Sequence, residues 1–175
     1  AVASADNLHP LVEEKLLSNL RGRPSQRRTR GIALAAIRET YEEAGLLIGE
    51  NDQGYRAAKP DWHGFEQHGV APSLSHLRLL ARAITPPGRT RRFDAWFFVT
   101  TTDHIAVQLE DLPTQELQDL HWLNIDDALE LDLPVITVSV LNDLKKRLAR
   151  DPDLKPETPL PFYHMRHNRY VEEMI

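Results

Sequence analysis

No cysteine occurs anywhere in the 175 residues, which excludes disulfides, thiolate metal sites and a cysteine nucleophile. A reducing, cytoplasmic setting is compatible with that absence. No run approaches the roughly 18 apolar residues of a membrane span, so no membrane association is expected. The start, "AVASADNLHP", lacks the basic-then-apolar layout of a secretory signal. An excess of positive charge is missing too. The formal net charge is −5, which argues against a general nucleic-acid binder, since such proteins usually carry a basic field.

What is present is the composition of an ordinary globular domain, 41% apolar and 27% charged, in a length that suits one domain with a sizeable core. The positive charge is gathered into two islands, "RGRPSQRRTR" (21–30) and "PGRTRRFD" (87–94). Such islands on an acidic background suit a small anionic ligand better than a long polyanion.

Apolar spacing predicts an amphipathic helix over 8–21, with Leu8, Leu11, Val12, Leu16 and Leu20 on its stripe. A polar connection follows, then a helix from about Thr29 or Gly31 to Ala44, with Gly45 as a left-handed C-cap. "GENDQGYRAAKPD" (49–61) reads as a loop and "WHGFEQHGV" as a short helix. "SHLRLLARAITPP" and the aromatic "RRFDAWFFVTTT" read as strands joined through "PPGRT" as a hairpin. A short strand is expected around Leu120–Leu123, then helices over "IDDALEL" and "ITVSVLNDLKKRLAR". A Pro-rich irregular stretch runs from Asp151 to about Pro161. The order implies an α+β layered domain.

One octapeptide stands apart. "RETYEEAG" (38–45) puts Glu39, Glu42 and Glu43 beside Arg38 on the second helix. At about 100° per residue the three carboxylates fall within an arc of roughly 100°. Ala33, Leu34, Ile37, Tyr41 and Ala44 take the opposite side, and Ala35 and Ala36 leave room beside the acids. Carboxylates three and four apart repel by a few tenths of a kcal/mol per pair. From Gly31 to Glu50 there is no lysine, and Arg38 is the sole cation. A solvated Glu-rich face would carry lysines at the next turn. A divalent cation explains the cluster better, because Mg²⁺ is commonly held by one or two carboxylates with phosphates and water.

"RETYEEAGL" (38–46) resembles the core of the Nudix box, with Thr40 where an aliphatic residue is usual. Uninterrupted spacing of the full box would place a Gly at position 24 and a Glu at position 30, where this chain has Pro24 and Arg30. Either the box is degenerate, or an insertion separates its halves and the Gly-rich turn and first strands precede Ala1. The order of "ALAAIRETYEEAGLLIG", "LARAITPPGRTRRFDAWFFV" and "ELQDLHWLNIDDALEL" resembles the subgroup that includes the peroxisomal coenzyme A diphosphatase and its bacterial relatives, whose box carries a helical insertion. The resemblance implies a single Nudix domain over 1–175, an α/β/α sandwich with a mixed sheet. Residues 1–30 would be the insertion, 31–150 the core and 151–175 a C-terminal extension.

The same resemblance implies a diphosphatase using Mg²⁺ or Mn²⁺ on a small nucleoside-diphosphate substrate, with coenzyme A or an acyl-coenzyme A first and nucleotide-sugars or ADP-ribose as the alternative. Glu42 and Glu43 would ligate metal, Glu39 would ligate metal or orient water, and Arg38 would fix a carboxylate with its planar fork. Glu116, with Glu110 as rival, would be a later ligand or general base. Arg89, Arg91 and Arg92 would hold a phosphate, although each also reads as part of an ordinary basic turn. Phe93 and Trp96 could stack a base, but with Phe98 they read as a core stripe.

His164 and His167 read as part of a solvated C-terminal segment rather than a ligand pair. The end "EEMI" is unlike a peroxisomal Ser-Lys-Leu address. A catalytically silent nucleotide-binding module is the rival class, favoured by Pro24 and Arg30 and opposed by the intact octapeptide. A helix-rich interaction protein is poorer, because "FDAWFFV" demands a sheet. The sequence leaves a homodimer open.

Overall fold

The structure is a computed structural model that describes residues 6–88, 90–113, 120–167 and 169–175. It is α+β, with antiparallel and parallel strand pairing. Its contacts gather into two compact units, Ala1–Leu77 with Thr100–Leu120, and Arg78–Val99 with His121–Ile175. No helix among the described residues is long and apolar enough to cross a membrane.

The first unit holds helices α1 (Pro10–Asn19), α2 (Gln26–Ala44) and α3 (His63–Gln67), and strands β1 (Leu46–Asn51), β2 (Val70–Pro72) and β5 (Ile105–Gln108). In α1 the predicted stripe buries Val12 and Leu16 against α2. Helix α2 starts earlier than its apolar pattern suggests. Ser25 is extended and its hydroxyl accepts from the Arg28 amide at 3.3 Å, so the N-cap lies inside the arginine-rich stretch. The helix runs unbroken across residue 31 and buries Thr29, Ala33, Leu34 and Ile37. It stops at Gly45, whose φ of 63° lets its N–H reach the Tyr41 carbonyl at 2.9 Å. A residue with a Cβ would be strained in that left-handed conformation.

The chain leaves Gly45 directly into β1, the centre of an antiparallel sheet ordered β2-β1-β5. The loop expected from residue 49 therefore begins only after Asn51. These three strands are short and recognise one another across long sequence gaps, which local patterning does not register. Gly49 is required by the pairing, because a Cβ there would sit 2.2 Å from the Ala71 carbonyl oxygen.

The second unit is built on a four-stranded sheet ordered β4-β3-β6-β7. Its strands are β3 (Arg78–Ile84), β4 (Asp94–Val99), β6 (Pro161–Arg166) and β7 (Arg169–Met174), with helices α4 (Ile125–Leu129) and α5 (Val135–Arg150). β3 and β4 form the predicted hairpin, and β6 lies parallel to β3. Leu80, Ala81, Ala83, Val140 and Tyr163 form the core, with Phe97, Val99, Ile136 and Leu144 packed against it.

Three expectations are corrected here. Leu120–Leu123 form no strand; the following Asn124 instead caps α4, its Oδ1 accepting from the Asp127 amide at 2.9 Å. The C-terminal segment is an ordered hairpin rather than a solvated tail. His164 lies within it, stacked on the Phe162 ring at 4.4 Å and 3.2 Å from Glu173. Phe93 is not core: it is 62% exposed, lies one residue before β4 and exchanges hydrogen bonds with Thr85. Sides alternate by twos along a strand, so a residue three before Trp96 does not share its side.

Candidate functional site

The carboxylates lie on the last turn and a half of α2. Glu39 and Glu43 are exposed and Glu42 is half-buried, while Ala33, Leu34 and Ile37 on the other face are buried in the first unit. Tyr41 meets the Phe65 ring edge-on at 5.4 Å and seats the end of the helix against α3. Burial, followed by the charge of Glu42, pushes its phenol pKa above the usual value. The acids are thus presented to solvent by a helix fixed along its opposite side.

Arg38 organises this face. Its Nη1 donates to both oxygens of Glu42 at 2.8 and 2.7 Å, and Nη2 donates to Glu39. Glu42 is one turn further along, so the i,i+4 geometry is native to the helix. A planar guanidinium can hold two carboxylates at set angles where a lysine could not. Glu43 has no ion-pair partner among the described residues. Thr40, at the position that departs from the Nudix pattern, turns its hydroxyl to the Ala36 carbonyl at 2.8 Å and takes no part in the acidic face.

Among the described residues no three or more His, Asp or Glu side chains converge on a point that could hold a metal ion. The donor set still fits a hard divalent cation. Its atoms are carboxylate oxygens, two of the acids are adjacent in sequence, and Mg²⁺ sites commonly use one or two carboxylates and draw the remainder from phosphate and water.

Beside Arg38 lies a depression of about 200 Å³, lined by Gly31, Leu34, Ala35 and Arg38 from α2 and by Lys59, Asp61 and Trp62. It opens where the small residues at 31 and 35 leave space on the helix. Lys59, Asp61 and Trp62 were not legible as site residues, because they belong to a connection whose course is set by tertiary packing.

The other candidates belong to other elements. Arg91 and Arg92 are exposed in the β3–β4 connection of the second unit. Arg92 donates from Nε to the Thr85 carbonyl at 3.3 Å, which serves the turn. Glu110 is exposed in the first unit after β5. Arg89 and Glu116 lie outside the described residues. In the second unit Arg82 was not legible as a buried cation; it is 3% exposed, between Ala81 and Ala83 of β3. It donates to Asp94 at 2.8 and 2.7 Å, with the rings of Trp96 and Phe162 4.7 and 4.6 Å from its guanidinium carbon.

No family model matches the sequence, and no curated protein matches it. Among solved structures, the crystal structure of a NUDIX hydrolase from Alicyclobacillus acidocaldarius is similar, with 24% sequence identity and a TM-score of 0.51 over 74% of this chain and 69% of that one. The likeness is one of fold.

Proposed function

We propose that this chain is a divalent-cation-dependent diphosphatase that hydrolyses the diphosphate link of a nucleoside-diphosphate derivative. Coenzyme A or an acyl-coenzyme A is its leading substrate, and a nucleotide-sugar or ADP-ribose the alternative. The observation that carries this reading is the octapeptide at 38–45, seated on the exposed end of α2 with the Arg38 fork between Glu39 and Glu42. The similarity of fold to a NUDIX hydrolase structure supports it.

Glu42 and Glu43, with Glu39, would hold Mg²⁺ or Mn²⁺. Bound there, the ion supplies neutralisation of phosphate oxygens and acidification of a water molecule. The protein's own part is positional. Arg38 keeps two carboxylates from swinging free and offsets their mutual repulsion. The buried face of α2 fixes the direction in which all three project. Glu116 would act as a further metal ligand or general base.

A silent nucleotide-binding module is the second reading. It is favoured by Pro24 and Arg30 in place of the box's Gly and Glu, and by the ion pairing of Glu39 and Glu42 with Arg38. A phosphate-release screen separates the two, using coenzyme A, ADP-ribose, NADH and dinucleoside polyphosphates with Mg²⁺ and with Mn²⁺. The hydrolase reading expects turnover of at least one substrate, abolished by Glu42→Gln or Glu43→Gln. Full activity in those variants counts against it, and nucleotide binding without turnover in either metal supports the silent module.

A further inference from the structure

The depression beside Arg38 sits on the same side of α2 as the acids. At about 1.5 Å of rise per residue, Ala35 lies roughly 6 Å along the axis from Glu39. At about 100° per residue, Gly31 and Ala35 share the face that Glu39 and Glu42 continue. The floor is open: a Cβ added at Gly31 meets nothing within 4 Å, and Ala35 is exposed. One wall is rigid, because Trp62 is 6% exposed and packs on the Phe65 ring at 5.2 Å.

Two cations border this space, and they differ in what they already hold. Arg38 is engaged with Glu39 and Glu42. Lys59 is exposed, and its ammonium has no hydrogen-bond or ion-pair partner among the described residues. It is the cation at this rim whose donors remain for a ligand. A volume of about 200 Å³, near seven waters' share of liquid, admits a ring-sized group and not a long chain.

Building on the diphosphatase reading, we infer that this depression is the substrate subsite next to the cleaved bond. Lys59 takes a phosphoryl oxygen, and the ring-sized group attached to that phosphate lies over Gly31 and Ala35 against Trp62. Lys59 is then a specificity-determining contact for that phosphate.

The test uses the full chain with Mg²⁺, ADP as a binding probe measured by calorimetry, and the substrate that wild type turns over best. Lys59→Ala is expected to raise the Kd for ADP and the KM by about tenfold, as for loss of one hydrogen bond to a charged group. Lys59→Arg restores most of the affinity. Ala35→Leu, which exchanges the best helix former for a nearly equal one on an exposed face, fills the floor and raises both constants with little change in unfolding temperature. Wild-type Kd for ADP in both Lys59→Ala and Ala35→Leu overturns the inference, whether or not the protein is an enzyme. Weakened ADP binding in these variants alongside no turnover by wild type sinks the hydrolase reading and leaves the subsite standing.

Discussion

Replacing Asp94 by alanine removes a carboxylate partner of a cation that the second unit buries to 3% exposure. Arg82 makes two charged hydrogen bonds to that carboxylate and lies over the electron-rich faces of the Trp96 and Phe162 rings. Breaking a fully buried pair by removing one member costs about 3–5 kcal/mol, because the other charge is left uncompensated. Asp94 is 38% exposed, so water can enter on its side and replace part of the interaction. The expected loss is therefore about 2–3 kcal/mol.

Arg82→Met should be milder. The thioether keeps contact with Trp96 and Phe162, the freed Asp94 reaches solvent, and the loss is chiefly the cation–π attraction, about 1 kcal/mol. Urea unfolding with an unchanged m-value reads both changes. The double variant should lie near Arg82→Met alone, since it leaves no buried cation. Asp94→Ala costing under about 0.5 kcal/mol, or Arg82→Met costing more than Asp94→Ala, refutes the reasoning.

Other consequences follow from single contacts. Arg38→Lys keeps the charge and loses the fork; stability should change by under about 1 kcal/mol, as for exposed pairs, while turnover falls about tenfold to a hundredfold, as when a residue orienting a metal ligand is removed. Steady-state kinetics beside thermal unfolding separate the two effects. Gly49→Ala should cost about 1–3 kcal/mol, because its Cβ would overlap the Ala71 carbonyl and force the paired strands to shift; circular dichroism melting reads it. Asp6 is partly buried, which would raise its pKa, but hydrogen bonds from Ser75, Leu74 and Ser73 hold it below the ordinary carboxylate value. Its contribution is then present above the unfolded-state pKa near 3.8 and is lost as pH falls through the lower folded value. Asp6→Asn should narrow the stability difference between pH 6 and pH 3 in urea titrations, and an unchanged difference contradicts that role.

Much of this architecture could be read from the residues because the relevant forces are local. Helix α2, its burial side and its stop at Gly45 follow from apolar spacing and one left-handed glycine. The β3–β4 hairpin follows from aromatic and β-branched runs around "PPGRT". Strands β1, β2 and β5 escaped because each is short and specified by partners far away in sequence. The β6–β7 hairpin escaped because "HMRHNRY" alternates polar groups that only a sheet turns to two sides. At the acidic face the octapeptide was legible as a unit. Lys59 and Trp62 were not, since their approach to α2 depends on how the 52–62 connection packs around Phe65.

A crystal of the full chain grown with Mn²⁺ tests the central proposal most directly. An anomalous peak is expected on α2 within coordination distance of the Glu42 and Glu43 carboxylates, with Glu39 turned toward it and Arg38 at their side. An acidic face without manganese at millimolar concentration, with Arg38 still closed over Glu39 and Glu42, contradicts it.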